Sequence, residues 1–371
     1  NIRISPISVF KKRFSTVLPK DPVPPVINTE ALSRKRIGLL LLLYLGLYPS
    51  DMLPKKVLFA SNATMTSGAG HLRRLIEIVK VLPKSIEKLH FGHVEMSWLD
   101  ELVNRSFDSL ELQDSYGQVD IVILDSYDKE FCLEINSKFK DSVIIQIADR
   151  YTFLLPNTLL VFMDLPFEYK DIEIASRTIA HGIEFLPKRQ MGLEMLAFQE
   201  KAKRVLVTTG GTLNTNIFNQ LINELEKIEY EGIQFEFIGA PKSMSRENKA
   251  FQFYQFGHSF DTIVGDCDTA ISAAGTTMWD LMANRKILGL AATVENQTAN
   301  FSFAVSSKQA LPVFNRDNQK LEIDNLRALL FDRGTRHALY SASLGNHDFN
   351  GAERTWDSIL AAFQKVNKIR G

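Results

Sequence analysis

From Lys56 onward, short apolar runs alternate with longer stretches in which apolar residues recur at helical spacing. Residues 57–60 read as a buried strand, followed by a loop and an amphipathic helix at 71–82. Residues 89–94 and Ile121–Leu124 are further strands, and the second is wholly apolar, as a parallel strand covered on both faces should be. Val143–Ala148 and residues 159–163 continue the series, and residues 129–139 form one of the intervening helices. Strand and helix alternating in this way predict a parallel sheet with helices on both faces.

A less regular stretch at 165–202, with Pro166, Gly182 and Pro187, reads as a link. A second series follows, with strands at Arg204–Thr208, 235–239, 251–256, 269–272 and Ile287–Ala291. Helices are expected at 216–228 (capped by Asn214 or Asn216), Thr276–Ala283, 297–307, 321–330 and 353–367. The predicted architecture is α/β, two doubly wound Rossmann-like domains facing a cleft, with an N-terminal domain at 52–185 and a C-terminal domain at 186–371. Ligands in such sheets bind at the carboxyl ends of the strands, so the loops that follow strands are where chemistry is expected.

The composition narrows the classes. The chain has 371 residues, enough for two domains with full cores, and is 45% hydrophobic and 23% charged. Basic and acidic residues balance at 43 each, so no net field draws nucleic acid. Cys132 and Cys267 lie far apart without metal-ligand or CxxC spacing, which predicts buried structural thiols in a reducing, cytoplasmic setting. Asp266 and Asp268 would raise the Cys267 pKa. Residues 1–51 depart from the pattern: a segment rich in Pro, Lys and Arg runs into an apolar stretch from Ile37 to Tyr48. That stretch is too short for an ordinary transmembrane span, and no cleavage signal follows it. The folded protein is expected to begin near Met52, with residues 1–51 as upstream translated sequence or a peripheral appendage.

Three strand-end loops carry candidate chemistry. The first is Thr66-Ser67-Gly68-Ala69-Gly70-His71, whose glycines let backbone approach a ligand at a helix N-terminus that favours anions. On spacing alone His71 equally suits a loop histidine packing locally. The loop is neither a dinucleotide fingerprint nor a Walker A loop. The second is Thr208-Thr209-Gly210-Gly211-Thr212, suited to a phosphate or a contact with the other domain. The third is Ala273-Ala274-Gly275-Thr276-Thr277, where N–H groups and hydroxyls suit a diphosphate. Asp280 follows it, as an acceptor for a ribose diol or as an ordinary first-turn acid. Glu295-Asn296-Gln297 stands at another helix start, as ligand contacts or as caps. Asp125-Ser126-Tyr127-Asp128 closes a strand and either points into the cleft or caps the next helix. His90 and His93 have no carboxylate cluster, so no metal site is expected, and no GxSxG elbow suggests a serine hydrolase.

Together these segments resemble the nucleotide-sugar hydrolase family of pseudaminic acid biosynthesis, which removes UDP from a diacetamido-trideoxy sugar. The resemblance runs from about Lys56 to the C-terminus. It rests on Gly68-x-Gly70-His71-x-x-Arg74, Asp125-x-Tyr127, Gly210-Gly211, the run from Ala273 to Asp280, Glu295-Asn296-Gln297, and Gly351-Ala352-x-Arg354. It implies the GT-B fold, shared with the glycosyltransferase that adds N-acetylglucosamine to the lipid-linked peptidoglycan precursor. It also implies His71 as the catalytic residue, no cofactor or metal, and UDP on the C-terminal domain. Gly275, Thr276 and Thr277 would then hold the diphosphate, Asp280 would lie near the ribose, and Asn296 and Gln297 near the sugar or its phosphates.

Two departures matter. The family carries an Arg-x-Asp pair where this chain has Ala60 and Asn62, and Asp280 replaces a Glu. Three functions therefore stand side by side: a hydrolase releasing UDP from an activated amino or deoxy sugar for surface-glycan or nonulosonic acid synthesis, a GT-B glycosyltransferase using a UDP-sugar donor, and a non-catalytic nucleotide-sugar-binding subunit. A transferase acting on lipid would contact a membrane, for which Arg73, Arg74 and the run from Ile37 to Tyr48 are the only sequence features.

Overall fold

The computed structural model describes residues 53–370 apart from 65–68, 109–117, 166–170, 193–195, 211–214, 228–231, 245–247, 258–259, 315–316, 319 and 347. The expectations for residues 1–51, Gly68, Gly211 and Asn214 fall outside the described residues.

Six strands form the first sheet: β1 (Lys56–Ala60), β2 (Glu87–Phe91), β3 (Ile121–Leu124), β4 (Val143–Ala148), β5 (Leu159–Phe162) and β6 (Thr178–His181). They are parallel, in the order β2-β1-β3-β4-β5-β6. Helices α1 (Gly70–Val81), α2 (Ser97–Ser106), α3 (Lys129–Lys138) and α4 (Ile172–Arg177) lie between them in sequence. The wholly apolar β3 is central and buried along its length. Helix α1 buries Leu72, Leu75, Ile76 and Val79, a stripe at helical spacing, and Pro83 follows its C-cap, where a helix cannot continue. Asp128 caps α3, accepting from the N–H groups of Glu130 and Phe131, which leaves Asp125 free for another role.

The second sheet contains β7 (Arg204–Thr208), β8 (Gln234–Ile238), β9 (Phe251–Tyr254), β10 (Thr269–Ala273), β11 (Ile287–Ala291) and β12 (Ala310–Pro312). It is also parallel, in the order β12-β11-β10-β7-β8-β9. Its helices are α5 (Thr215–Leu225), α6 (Phe260–Asp266), α7 (Thr276–Ala283), α8 (Thr298–Ser306), α9 (Ile323–Phe331) and α10 (Arg333–Ser343). The strand order reverses direction between β1 and β3 in the first sheet and between β7 and β10 in the second. Such switch points leave a crevice beyond the strand ends, and here they bring together the loops after β1, β3, β7 and β10.

The link is more structured than its irregular sequence suggests. It holds α4, β6 and a short turn, Ile183–Phe185, before the chain crosses at Leu186–Met191. The last helix, α11 (Gly351–Arg370), returns to the first sheet, packing on α1, β4, β6 and that turn. Gly351 is required there, because a Cβ would stand 2.1 Å from the Leu186 carbonyl oxygen. Arg354 donates through Nε to the Glu184 carbonyl at 2.8 Å, and Thr355 donates to that of Phe185 at 2.7 Å. The Gly351-Ala352-x-Arg354 run thus fastens the helix to the link. The C-terminal domain, expected to extend to residue 371, therefore ends in a helix that completes the other half.

Both cysteines are buried, and burial pushes each thiol up to about 12, with Asp128 adding to the effect at Cys132 and Glu236 at Cys267. Among the described residues, no helix is long and apolar enough to cross a membrane.

Candidate active site

Two helix N-termini meet across the crevice. Helix α1 begins at Gly70, with no side-chain cap and no acid in its first turn. Helix α7 begins at Thr276, behind Gly275, and also lacks both. Among the described residues, no side chain caps either end, so each offers backbone N–H groups and the positive end of a helix dipole. They approach closely: a Cβ on Gly70 would lie 3.2 Å from Thr276 Oγ1. Gly210, after β7, has φ +73°, and a Cβ there would lie 3.8 Å from Thr277 Oγ1. Four predicted residues, Gly70, Gly210, Thr276 and Thr277, thus converge from loops more than sixty positions apart, and Gly275 lies beside them.

His71, the second residue of α1, reaches Asp125, the first residue after β3. Its Nδ1 lies 2.6 Å from Asp125 Oδ1. Arg74, one turn on along the same helix face, donates to the same carboxylate through Nε to Oδ2 and Nη2 to Oδ1, both at 2.7 Å. Asp125 is 1% exposed. Burial alone would raise its carboxyl, but Arg74 and His71 outweigh burial and hold it at about 2. An ionised carboxylate only accepts, so His71 Nδ1 is the donor in this bond. Burial likewise opposes the Arg74 charge, and Asp125 reverses that, keeping the guanidinium above its ordinary range.

Tyr127 braces the histidine. The two rings pack edge to face with centroids 4.5 Å apart, and the Tyr127 hydroxyl donates to Asp149. Burial first, then the Asp149 charge, raises the phenol pKa, so Tyr127 stays protonated as a donor. Asp149 in turn accepts from the Tyr151 N–H at 2.9 Å, and the Tyr151 hydroxyl donates to the Glu295 carbonyl at 3.3 Å, joining the two halves.

A cavity of about 460 Å³ is lined by His71, Arg74 and Tyr127 on one side and by Gly210, Gly275, Thr276 and Thr277 on the other. Glu295, Asn296 and Gln297 line it as predicted, although Gln297 Oε1 is engaged by the N–H and hydroxyl of Thr293, at 2.9 and 3.1 Å. A smaller cavity of about 80 Å³ shares Gly70, Arg74, Gly210, Thr276 and Thr277 with it.

Asp280, expected near a ribose, has a protein partner. It lines the smaller cavity, but its carboxylate is taken by the link. Oδ1 accepts from the Arg189 N–H at 2.8 Å, and Oδ2 accepts from Arg189 Nε and Nη2 at 2.9 and 2.7 Å. Arg189 also donates to Asp261 at 2.9 Å. Three of its acceptor positions are thus committed to Arg189 in a buried ion pair. The departure from Arg-x-Asp is also visible: Ala60 is buried, and Asn62 spends its side-chain oxygen on the His93 N–H at 2.9 Å.

Sequence reasoning misses Asp149, Tyr151 and Asp164, which line the large cavity, and Trp98 and Arg189, which line the small one together with Arg73. Asp149 and Tyr151 follow the end of β4, so the strand-end rule applied to every strand would have found them.

No protein-family model matches this chain. It is 26% identical over 288 residues to the Helicobacter pylori protein named pseudaminic acid cytidylyltransferase and UDP-2,4-diacetamido-2,4,6-trideoxy-beta-L-altropyranose hydrolase. That match covers 74% of this chain and 52% of the relative, so the chain spans about half the length of the curated protein it matches. This bears out the resemblance read from the motifs. Among solved structures, the glycotransferase of kitacinnamycin aligns with TM-score 0.57 at 12% identity, covering 84% of this chain and 99% of that one. Arabidopsis thaliana UGT89C1 complexed with UDP-L-rhamnose aligns with TM-score 0.55 at 13% identity, covering 84% and 99%. The fold is GT-B. In GT-B terms, the His71–Asp125 pair belongs to the first Rossmann-like half and the Gly275–Thr277 turn to the second. The fold carries many chemistries, so the reaction has to be argued from the site.

Proposed function

We propose that this chain hydrolyses a UDP-activated sugar, with His71 as the general base. The observation that carries the reading is the His71–Asp125 pair at the uncapped start of α1, with the uncapped start of α7 across the cleft. The diphosphate lies between the starts of α1 and α7, held by backbone N–H groups and the hydroxyls of Thr276 and Thr277. The sugar lies in the large cavity beside His71. Water attacks the anomeric carbon, a C–O bond forms as the bond to the diphosphate breaks, and the proton passes to His71 Nε2. Asp125 stabilises the imidazolium, and the helix ends stabilise the charge developing on the leaving diphosphate.

The identity of the base as uracil and of the sugar as an amino or deoxy sugar is supported by the likeness to the Helicobacter pylori protein. Of the two activities in that protein's name, the hydrolase is the one that a base poised to activate water suits. A transferase reading is favoured by the likeness to glycosyltransferase structures, and in it an acceptor hydroxyl takes the place of water. The buried, hydrogen-bonded His–Asp arrangement argues against a purely binding subunit, which has no need to orient an imidazole.

The test is to follow nucleotide release from a panel of UDP- and CMP-sugars, with and without candidate acceptors. Release from a UDP-sugar in water alone is the expected result. Release that requires an acceptor would replace the hydrolase with the transferase.

A further inference from the structure

Arg73, one residue before the Arg74 of the buried pair, has a different environment. Its guanidinium carbon lies over the Trp98 ring, 4.9 Å from the centroid, and 5.8 Å from that of Phe260. Trp98 belongs to the first half and Phe260 to the second, so Arg73 sits where the halves meet. Among the described residues, no carboxylate lies within ion-pair distance of it and no acceptor takes a hydrogen bond from its guanidinium. Its two cationic neighbours are satisfied, Arg74 by Asp125 and Arg189 by Asp280 and Asp261. Glu77 lines the same small cavity but pairs with Lys80 at 2.6 Å. Arg73 is thus the cation of this cavity left without a counter-ion.

Arg73 is partly buried in this cavity. Burial, then the charge of Arg189, pulls the Arg73 pKa down to about 10. The nearby Trp98 and Phe260 rings attract the cation but are no substitute for an oxygen acceptor to its N–H groups. Arg73 lines the small cavity together with Gly70 and Thr276, where the two uncapped helix ends meet. The small cavity shares both residues with the large one, so a group held between the helix ends is open to Arg73.

We propose that Arg73 is an oxyanion-binding residue that contacts the nucleotide's phosphate from the half opposite Gly275–Thr277. The inference rests on the nucleotide-sugar reading above and deepens it: the second half supplies N–H groups and hydroxyls, and the first supplies the full positive charge. Because Arg73 also lies beside a ring from each half, phosphate occupancy and the juxtaposition of the halves act on the same side chain.

The experiment measures the affinity of the whole chain for UDP, uridine and inorganic pyrophosphate in wild type, Arg73→Gln and Arg73→Lys, with thermal melts to establish that each is folded. Arg73→Gln should weaken UDP about ten- to hundredfold, as for a lost charge-assisted hydrogen bond. It should leave uridine unchanged, and Arg73→Lys should recover part of the loss. Unchanged UDP affinity in a folded Arg73→Gln protein would overturn the assignment while leaving the nucleotide reading intact, and an equal loss for UDP and uridine would reduce Arg73 to shaping the cavity. If wild type binds no UDP, the nucleotide reading fails by itself. The oxyanion site then stands if pyrophosphate binds in an Arg73-dependent way, and falls if it does not.

Discussion

The two walls of the cleft use one device for different ends. Each is a strand at a topological switch point, a turn bearing glycine, and a helix whose N-terminus lacks a capping side chain and a first-turn acid. On the first wall, the residues just inside the helix, His71 and Arg74, turn back to a carboxylate on the neighbouring strand end. On the second, Thr276 and Thr277 keep small neutral hydroxyls at the cleft. The nearest acid on that helix, Asp280, is drawn away to the link by Arg189. The role of a charged residue at such a helix start is therefore decided by the partner the topology gives it. Asp125 orients a histidine, and Asp280 clamps an arginine of the link.

The comparison breaks most readily at Asp125. With Asn at this position, the Nδ1 tautomer is no longer enforced, and turnover should fall roughly 10³- to 10⁴-fold. Arg74 is also left buried without its counter-ion, so stability should fall by about 3–5 kcal/mol. Nucleotide-release kinetics, scaled to the folded fraction from a denaturant titration, separate the two effects.

Asp280→Asn is the corresponding change on the second wall. Its expected effect is on stability, about 3 kcal/mol because Asp261 still serves Arg189, with turnover per folded molecule and UDP affinity nearly unchanged. A tenfold loss of UDP affinity in the folded variant would return Asp280 to the ribose.

Acid should unpick the first wall. The Asp125 carboxyl is held at about 2 against an unfolded value near ~3.9, so its contribution is complete above about pH 4 and is lost as pH falls through the folded value. Between about pH 4 and 2 the wild-type melting temperature should therefore drop more steeply than that of Asp125→Asn. Parallel curves would mean that Asp125 is not the stabilising carboxylate. The smallest expected effect is that of Tyr151→Phe, which removes one exposed hydrogen bond between the halves and should cost no more than about 1 kcal/mol in a thermal melt.

Much of this molecule is legible along the chain. The central strands announce themselves as unbroken apolar runs, Ile121–Leu124 most plainly, and α7 matches its predicted bounds. Short edge strands do not announce themselves. Thr178–His181 is half polar, and Ala310–Pro312 has three residues and ends in a proline. Helix α10, beginning at Arg333 directly after the Asp332 that caps it, was overlooked because it follows α9 without a loop. In the site, glycine turns at helix starts are local signals, so Gly70, His71, Gly210 and Gly275 were found. The pairings that give them meaning are not local: His71 and Asp125 are 54 residues apart, and Arg189 and Asp280 are 91 apart. The first depends on β1 lying beside β3, and the second on the link returning to α7. Neither adjacency is written in the local pattern of apolar and polar residues.

The claim that the first wall does the chemistry and the second holds the leaving group is tested most directly by His71→Ala, in which nucleotide release and UDP affinity are measured on the same folded protein. Loss of the general base should lower release by about 10²- to 10⁴-fold and leave the UDP dissociation constant within about twofold of wild type. Release at the wild-type rate would contradict the assignment of His71. A parallel loss of release and UDP affinity would contradict the division of labour between the two walls.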